Sequence, residues 1–177
     1  MTKKNKIYFV RHFKPQFKEK ALLGHTDPSL ESDPPVLAVK ALLPENPKIY
    51  SSDLKRAYQT ASLLYPGQEI EQTPLLREIN FGDFEGATWP ELEKSQPKFY
   101  SSYMDNWLNE RFPNGESTLD LIERVKVFLG EAEIEETSVI FCHAGTIRVL
   151  YHLISQVAIE KAFSIKVGYG EVISVDI

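Results

Sequence analysis

Asn5-Lys6-Ile7-Tyr8-Phe9-Val10 runs directly into Arg11-His12, and Thr137-Ser138-Val139-Ile140-Phe141-Cys142 runs directly into His143-Ala144-Gly145. Both are short apolar runs rich in β-branched and aromatic side chains, the composition of a buried strand. Behind the second, Ile147, Leu150, Tyr151 and Ile154 recur along one face of a helix. Lys48-Ile49-Tyr50 reads as another strand, and residues 68–72 as a short edge strand. Val36 to Leu43 is a short helix stopped by Pro44. Leu54, Ala57, Ala61 and Leu64 have helical spacing, with Ser51-Ser52-Asp53 as its N-cap cluster. Ser117 and Asp120 stand at capping-box spacing and open a helix through Leu121, Val125, Phe128 and Leu129. Residues 163–167 and 171–177 alternate like terminal strands. Strands alternating with helices predict an α/β fold layered on one sheet.

In such sheets ligands gather beyond the carboxyl ends of the strands. His12 and His143 both occupy that position, although 131 positions separate them. If their strands are parallel neighbours, the two side chains converge. The helix opening near Ala144 points backbone N–H groups at the same place, which favours an anion. Arg56 follows another strand end in the first turn of its helix, and with Arg11 it supplies two guanidinium forks suited to phosphoryl oxygens. Glu78 is flanked by large apolar residues, so partial desolvation suits it to general-acid work; Asp83 and Glu85 compete for that role. Cys142, adjacent to His143 on a strand, should point to the opposite face and into the core.

The chain has 177 residues, 42% hydrophobic and 25% charged, which suits one soluble globular domain. We expect a single domain over residues 1–177 with a small helical flap at about 87–115, where Trp89, Tyr100, Tyr103 and Trp107 either anchor the flap or stack on a ligand. Residues 13–35 contain five prolines and glycines in a long loop, the kind that usually carries function. One cysteine excludes an internal disulfide framework and a cysteine-rich zinc module. No apolar run is long enough for a membrane helix, and the basic start lacks the apolar stretch of a signal peptide, so a cytoplasmic protein is expected. The net charge is −5, yet the first twenty residues hold seven Lys/Arg against one Glu, leaving −11 on the rest. An acidic body disfavours nucleic acid and other polyanions as partners. The basic start, with Lys3, Lys4, Lys6, Arg11, Lys14, Lys18 and Lys20, is either a tail or one wall of an anion pocket, and composition leaves both open.

Five segments together resemble the histidine phosphatase superfamily, in its phosphoglycerate mutase-like branch. They are Val10-Arg11-His12, Ser52-Asp53-Leu54-x-Arg56-Ala57, Leu76-x-Glu78-x-x-x-Gly82, Pro113-x-Gly115-Glu116-Ser117 and Cys142-His143-Ala144-Gly145-x-Ile147-Arg148, in the order of that family. The resemblance implies a three-layer sandwich with a mostly parallel sheet between helices. It implies catalysis by His12, Arg11, Arg56, Glu78 and His143: attack by His12, a phosphohistidine intermediate, and Glu78 as acid and then base, with no metal and no cofactor. Ala144 contributes its amide, and Lys18 stands near the position of a phosphate-binding Asn. The family's usual glycine after the histidine is Phe13 here, which implies altered specificity. The stretch Leu23-Gly24-His25-Thr26-Asp27-x-x-Leu30 is similar to the alpha-ribazole phosphatases, so Gly24 and His25 join the expected substrate-binding residues. Only 65 positions run from Glu78 to His143, which implies a small flap and a phosphatase rather than a mutase. A phosphoglycerate mutase-type transferase and a non-catalytic phospho-ligand regulator remain the alternatives. The expected partner is a small phosphorylated substrate, met by a monomer or a homodimer.

Overall fold

The computed structural model describes residues 6–134 and 137–177, so Lys3 and Lys4 lie outside the described residues. The chain begins β1 (Lys6–Arg11), α1 (Val36–Lys40), β2 (Lys48–Ser52), α2 (Lys55–Leu64) and β3 (Glu71–Thr73). Next come α3 (Trp89–Ser95), α4 (Pro97–Asn106) and α5 (Thr118–Glu131). It ends β4 (Thr137–Cys142), α6 (Ala144–Ser155), α7 (Ile159–Phe163) and β5 (Val172–Asp176). The strands form one sheet in the order β3-β2-β4-β1-β5. Its β3-β2-β4-β1 part is parallel, and β5 runs antiparallel along β1.

Side-chain alternation in the central strands divides the interior in two. Ile7 and Phe9 of β1 and Ile140 and Cys142 of β4 face Val125 and Phe128 of α5 and Ile147 and Leu150 of α6. Val10, Val139 and Phe141 face the other way, onto Ala61 and Leu64 of α2 and Val39 of α1. Each sheet face is therefore covered by helices, the layered α/β arrangement expected. Cys142 is fully buried on the face away from the strand-end histidines, and burial pushes its thiol pKa up. That thiol is core, not nucleophile. No helix among the described residues is long and apolar enough to cross a membrane.

Two local expectations are corrected. Residues 163–167 form no strand: Phe163 closes α7, and the following carbonyls accept hydrogen bonds from arginines rather than from a ladder. Ile165 O accepts from Arg148 Nε at 3.1 Å, and Val167 O accepts from Arg11 Nη1 at 2.7 Å. The cap of α2 is not the Ser51-Ser52-Asp53 cluster either. β2 continues through Ser52, the N-cap is Leu54, and the Lys55 amide donates to Asp27 Oδ1 at 2.7 Å from across the long loop. Asp53 instead pairs with Arg77 at 2.5 Å. The Ser117–Asp120 capping box opens α5 as expected, and a second box, Thr88 with Glu91, opens α3.

One carboxylate gathers several amides of the loop between β1 and α1. Glu85 accepts backbone N–H groups from Gly24, His25, Thr26 and Phe81, at 2.9 to 3.2 Å. Glu85→Ala leaves these donors without that partner and is expected to destabilise the protein by about 2–4 kcal/mol, read as a lower urea midpoint at unchanged m-value.

Candidate active site

Parallel register brings the first two candidate residues together. Arg11 is paired with Cys142 across β1 and β4, and the His12 amide continues the ladder by donating to Cys142 O at 3.1 Å. The next residues, His12 and His143, therefore stand side by side, with ring centroids 5.1 Å apart. His12 Nδ1–H donates to the carbonyl of Phe13 at 2.7 Å, which leaves Nε2 as the bare nitrogen. Burial first, and then the charge of Arg56, hold His12 well below the usual histidine pKa. Its Nε2 is therefore unprotonated near neutral pH, and the lone pair there accepts a hydrogen bond from Arg56 Nε at 3.3 Å.

Phe13 does not crowd this site. Its amide donates to Thr60 Oγ1 at 2.9 Å, and its ring is buried in the α1–α2 side of the core. The ring fits against Gly170, whose φ is +69° and where a Cβ would come within 3.0 Å of Phe13 Cδ1. A glycine elsewhere in the fold thus makes room for the side chain that replaces the usual one.

Arg56 is fully buried, and carbonyls fix its fork: Nη1 donates to Thr26 O at 2.7 Å and Nη2 to Gly24 O at 2.6 Å. Burial lowers its pKa to about 10, so it stays a cation at neutral pH. Arg11 is anchored through Nη1 to Val167 O and lies 3.9 Å from the Tyr169 ring centroid. Its Nε is buried with no hydrogen-bond partner, and so is Nδ1 of His143. Ser52 Oγ accepts from the Leu54 amide at 3.3 Å and lies 2.9 Å from His143 Nε2; with the hydroxyl donating to that nitrogen, His143 carries its proton on Nδ1. Burial, then Arg56, hold His143 neutral as well. Two unpartnered donors thus lie beside a neutral imidazole, an arrangement that an anion would complete.

Glu78 is buried, its carboxylate accepting from the Ile79 amide at 3.0 Å and from the Gly145 amide at 2.9 Å. Its segment hangs from Arg124 of α5, which donates to the carbonyls of Leu75, Arg77 and Glu78 and pairs with Glu116 through two nitrogens. The competing acids are otherwise engaged: Glu85 organises the loop, and Asp83 is exposed and bonded to Asn114.

A cavity of about 330 Å³ opens above these groups, lined by Arg11, His12, Glu78 and Ala144, with Arg56 and His143 packed behind His12. The structure does not bring Lys18 there, because its Nζ is 2.7 Å from Glu91, and Lys14 is paired with Glu31 at 3.1 Å. Gly24 and His25 stand behind the wall: Gly24 O supports Arg56, and the His25 ring meets Glu78 O at 3.1 Å. Lys20, Arg148 and Tyr169 line the cavity without having been singled out. Lys20 reaches it through a left-handed backbone, φ +58°, which no spacing rule reveals. Arg148 had a signal, since it lies one turn after Ala144 on the same helix.

Residues 7–177 match the profile of the Histidine phosphatase superfamily (branch 1). The chain belongs to that superfamily. This histidine phosphatase is 26% identical over 169 residues to a candidate phosphoserine phosphatase 2 of Hydrogenobacter thermophilus, a match covering 90% of this chain and 83% of the relative. Human 6-phosphofructo-2-kinase/fructose-2,6-bisphosphatase 4 matches at 33% identity over 103 residues, 58% of this chain but only 22% of its own length. The solved structure of a candidate alpha-ribazole-5'-P phosphatase from Escherichia coli shares the fold with a TM-score of 0.86 at 23% identity, covering 97% of this chain and 89% of that one.

Two outcomes follow for this histidine phosphatase. Both buried histidines are neutral when folded, whereas the unfolded chain binds protons at them below about pH 6.5. Stability is therefore retained above that pH and lost as the pH falls below it. The melting temperature should drop between about pH 7 and about pH 5, and less so in His143→Asn. At Gly145 a Cβ would lie 2.4 Å from Glu78 Oε1. Gly145→Ala should push that carboxylate aside and lower kcat by roughly 100-fold while the circular dichroism spectrum is unchanged.

Proposed function

We propose that the protein is a phosphomonoesterase that passes the phosphoryl group of a small metabolite first to His12 and then to water, with alpha-ribazole 5'-phosphate as the substrate to try first. The observation that carries this reading is His12 itself: a neutral imidazole with Nδ1–H tied to a carbonyl and Nε2 bare at a cavity walled by cations. An incoming phosphoryl oxygen takes over the Arg56 Nε–H bond and so frees the lone pair it now occupies. Arg11 Nε, His143 Nδ1 and the Ala144 amide are the further donors toward the transferring group. Nε2 forms the bond to phosphorus as the ester P–O bond breaks, and Glu78 in its acid form delivers a proton to the leaving oxygen. Glu78 then takes a proton from water, whose oxygen displaces His12 and releases inorganic phosphate. The arginines and His143 supply the electrostatic stabilisation, so no metal enters the scheme. The alpha-ribazole suggestion rests on the resemblance of Leu23-Gly24-His25-Thr26-Asp27-x-x-Leu30.

The test is phosphate release from a panel of phosphometabolites that includes alpha-ribazole phosphate, phosphoserine and 3-phosphoglycerate, with and without EDTA. We expect turnover insensitive to chelation, abolished in His12→Ala, with acid-labile label on His12 of the wild type. Glu78→Gln should lower kcat by about 100- to 1,000-fold for an alkyl ester, and much less for an aryl ester that leaves without a proton. A fully active His12→Ala variant would sink the proposal.

A further inference from the structure

A second cavity, of about 210 Å³, continues from the first past Glu78. Glu78, Trp89, Ala144 and Arg148 line both, so the two spaces meet at the Glu78 carboxylate. Beyond that junction the walls change character. Tyr103, Leu121 and Phe163 join Phe81 and Trp89, and the only charged side chains, Glu78 and Arg148, stand at the junction itself. Arg148 is held there by its Nε bond to Ile165 O.

We propose that this cavity is the leaving-group subsite, and that the enzyme acts on phosphate monoesters of neutral alcohols carrying a flat apolar ring, with Tyr103 as a specificity-determining residue. The inference rests on the assignment of Glu78 as the general acid. An acid must touch the oxygen it protonates, so the leaving group has to pass Glu78. His12 and the cations occupy one side of that carboxylate, and the apolar cavity receives what lies on the other. A carboxylate or second phosphoryl group on the leaving portion would lose its water against aromatic walls with no cation beyond the junction to replace it. An apolar ring instead gains by burial there. The Trp89 and Tyr103 rings are 5.0 Å apart and tilted by 33°, so together they form one aromatic wall of the cavity. The Tyr103 ring is also packed against Phe99 and Phe112, so it is the ring that Tyr103 contributes to this wall. Helices α3 and α4 thus select the substrate as well as anchor on the core.

The experiment compares 2-phenylethyl phosphate with ethyl phosphate, two alkyl esters that differ in the ring. Wild type should favour the phenylethyl ester in kcat/KM by about 10- to 100-fold, the scale of burying one ring. Tyr103→Phe should keep that ratio, and Tyr103→Ala should bring it to within about threefold of unity. Equal kcat/KM for the two esters, with label still appearing on His12, would overturn the subsite alone. So would a higher kcat/KM for 3-phosphoglycerate than for the phenylethyl ester. An undiminished ratio in Tyr103→Ala would overturn the role of that residue. Absence of both phosphate release and label would overturn the phosphohistidine reading together with this one.

Discussion

Arg56 is a guanidinium with none of its surface in water, and its hydrogen-bonding fork meets carbonyl oxygens rather than a carboxylate. A buried cation without close compensation is among the most destabilising things a fold can contain. The surrounding structure is arranged to supply that compensation. The carbonyls of Gly24 and Thr26 can turn inward because their own amides turn outward to Glu85. The same loop sends Asp27 to the amide at the start of α2, the helix that carries Arg56. One loop therefore orients the arginine at both ends, through its fork and through its helix. The result is a fixed positive charge beside His12, which adds to burial in keeping that imidazole neutral and places an N–H donor at its Nε2.

The parallel pairing of β1 with β4 does the other half of the positioning. It aligns Arg11 with Cys142, and the residues that follow each strand emerge together at one edge. Antiparallel β5 closes the arrangement from the far side, where the Gly170 amide donates to the carbonyls of Arg11 and His12. Its approach brings Tyr169 against the Arg11 guanidinium and gives the Phe13 ring room over Gly170. The bulky Phe13 after His12 is thus accommodated by a glycine in the turn that leads into β5, and the pocket is left open.

What was legible in the sequence follows from how local each signal is. Buried strands announce themselves by composition, and a histidine at a strand's carboxyl end announces its place in an α/β sheet. Hence the sheet, His12, His143 and Arg56 could be placed together without coordinates. Glu78 was separable from Asp83 and Glu85 only by its apolar flanks; the structure adds the reason, since the other two are occupied by the loop and by Asn114. The α2 cap was not legible, because Asp27 reaches it from 28 residues away. Residues 163–167 alternate as a strand does, but their carbonyls are claimed by Arg11 and Arg148, which periodicity does not encode. Lys18 and Lys20 are indistinguishable by spacing, and a left-handed backbone at Lys20 decides which one faces the cavity. Arg124 was missed for the same kind of reason: it reads as an ordinary helix arginine until the carbonyls it gathers are known.

Two buried nitrogens at this site bear on its chemistry. Arg11 Nε and His143 Nδ1 are buried donors without acceptors, each of which typically costs about 1–3 kcal/mol. Arg11 Nη1 is bonded to the Val167 carbonyl and the Arg56 fork to the carbonyls of Thr26 and Gly24, which holds both guanidiniums in place. Binding an anion relieves the orphan donors without rearranging the rest, which is what a preorganised electrostatic site requires. In the proposed transfer the phosphoryl group would carry its charge on the equatorial oxygens, which fixed donors stabilise without the reorganisation that mobile solvent requires.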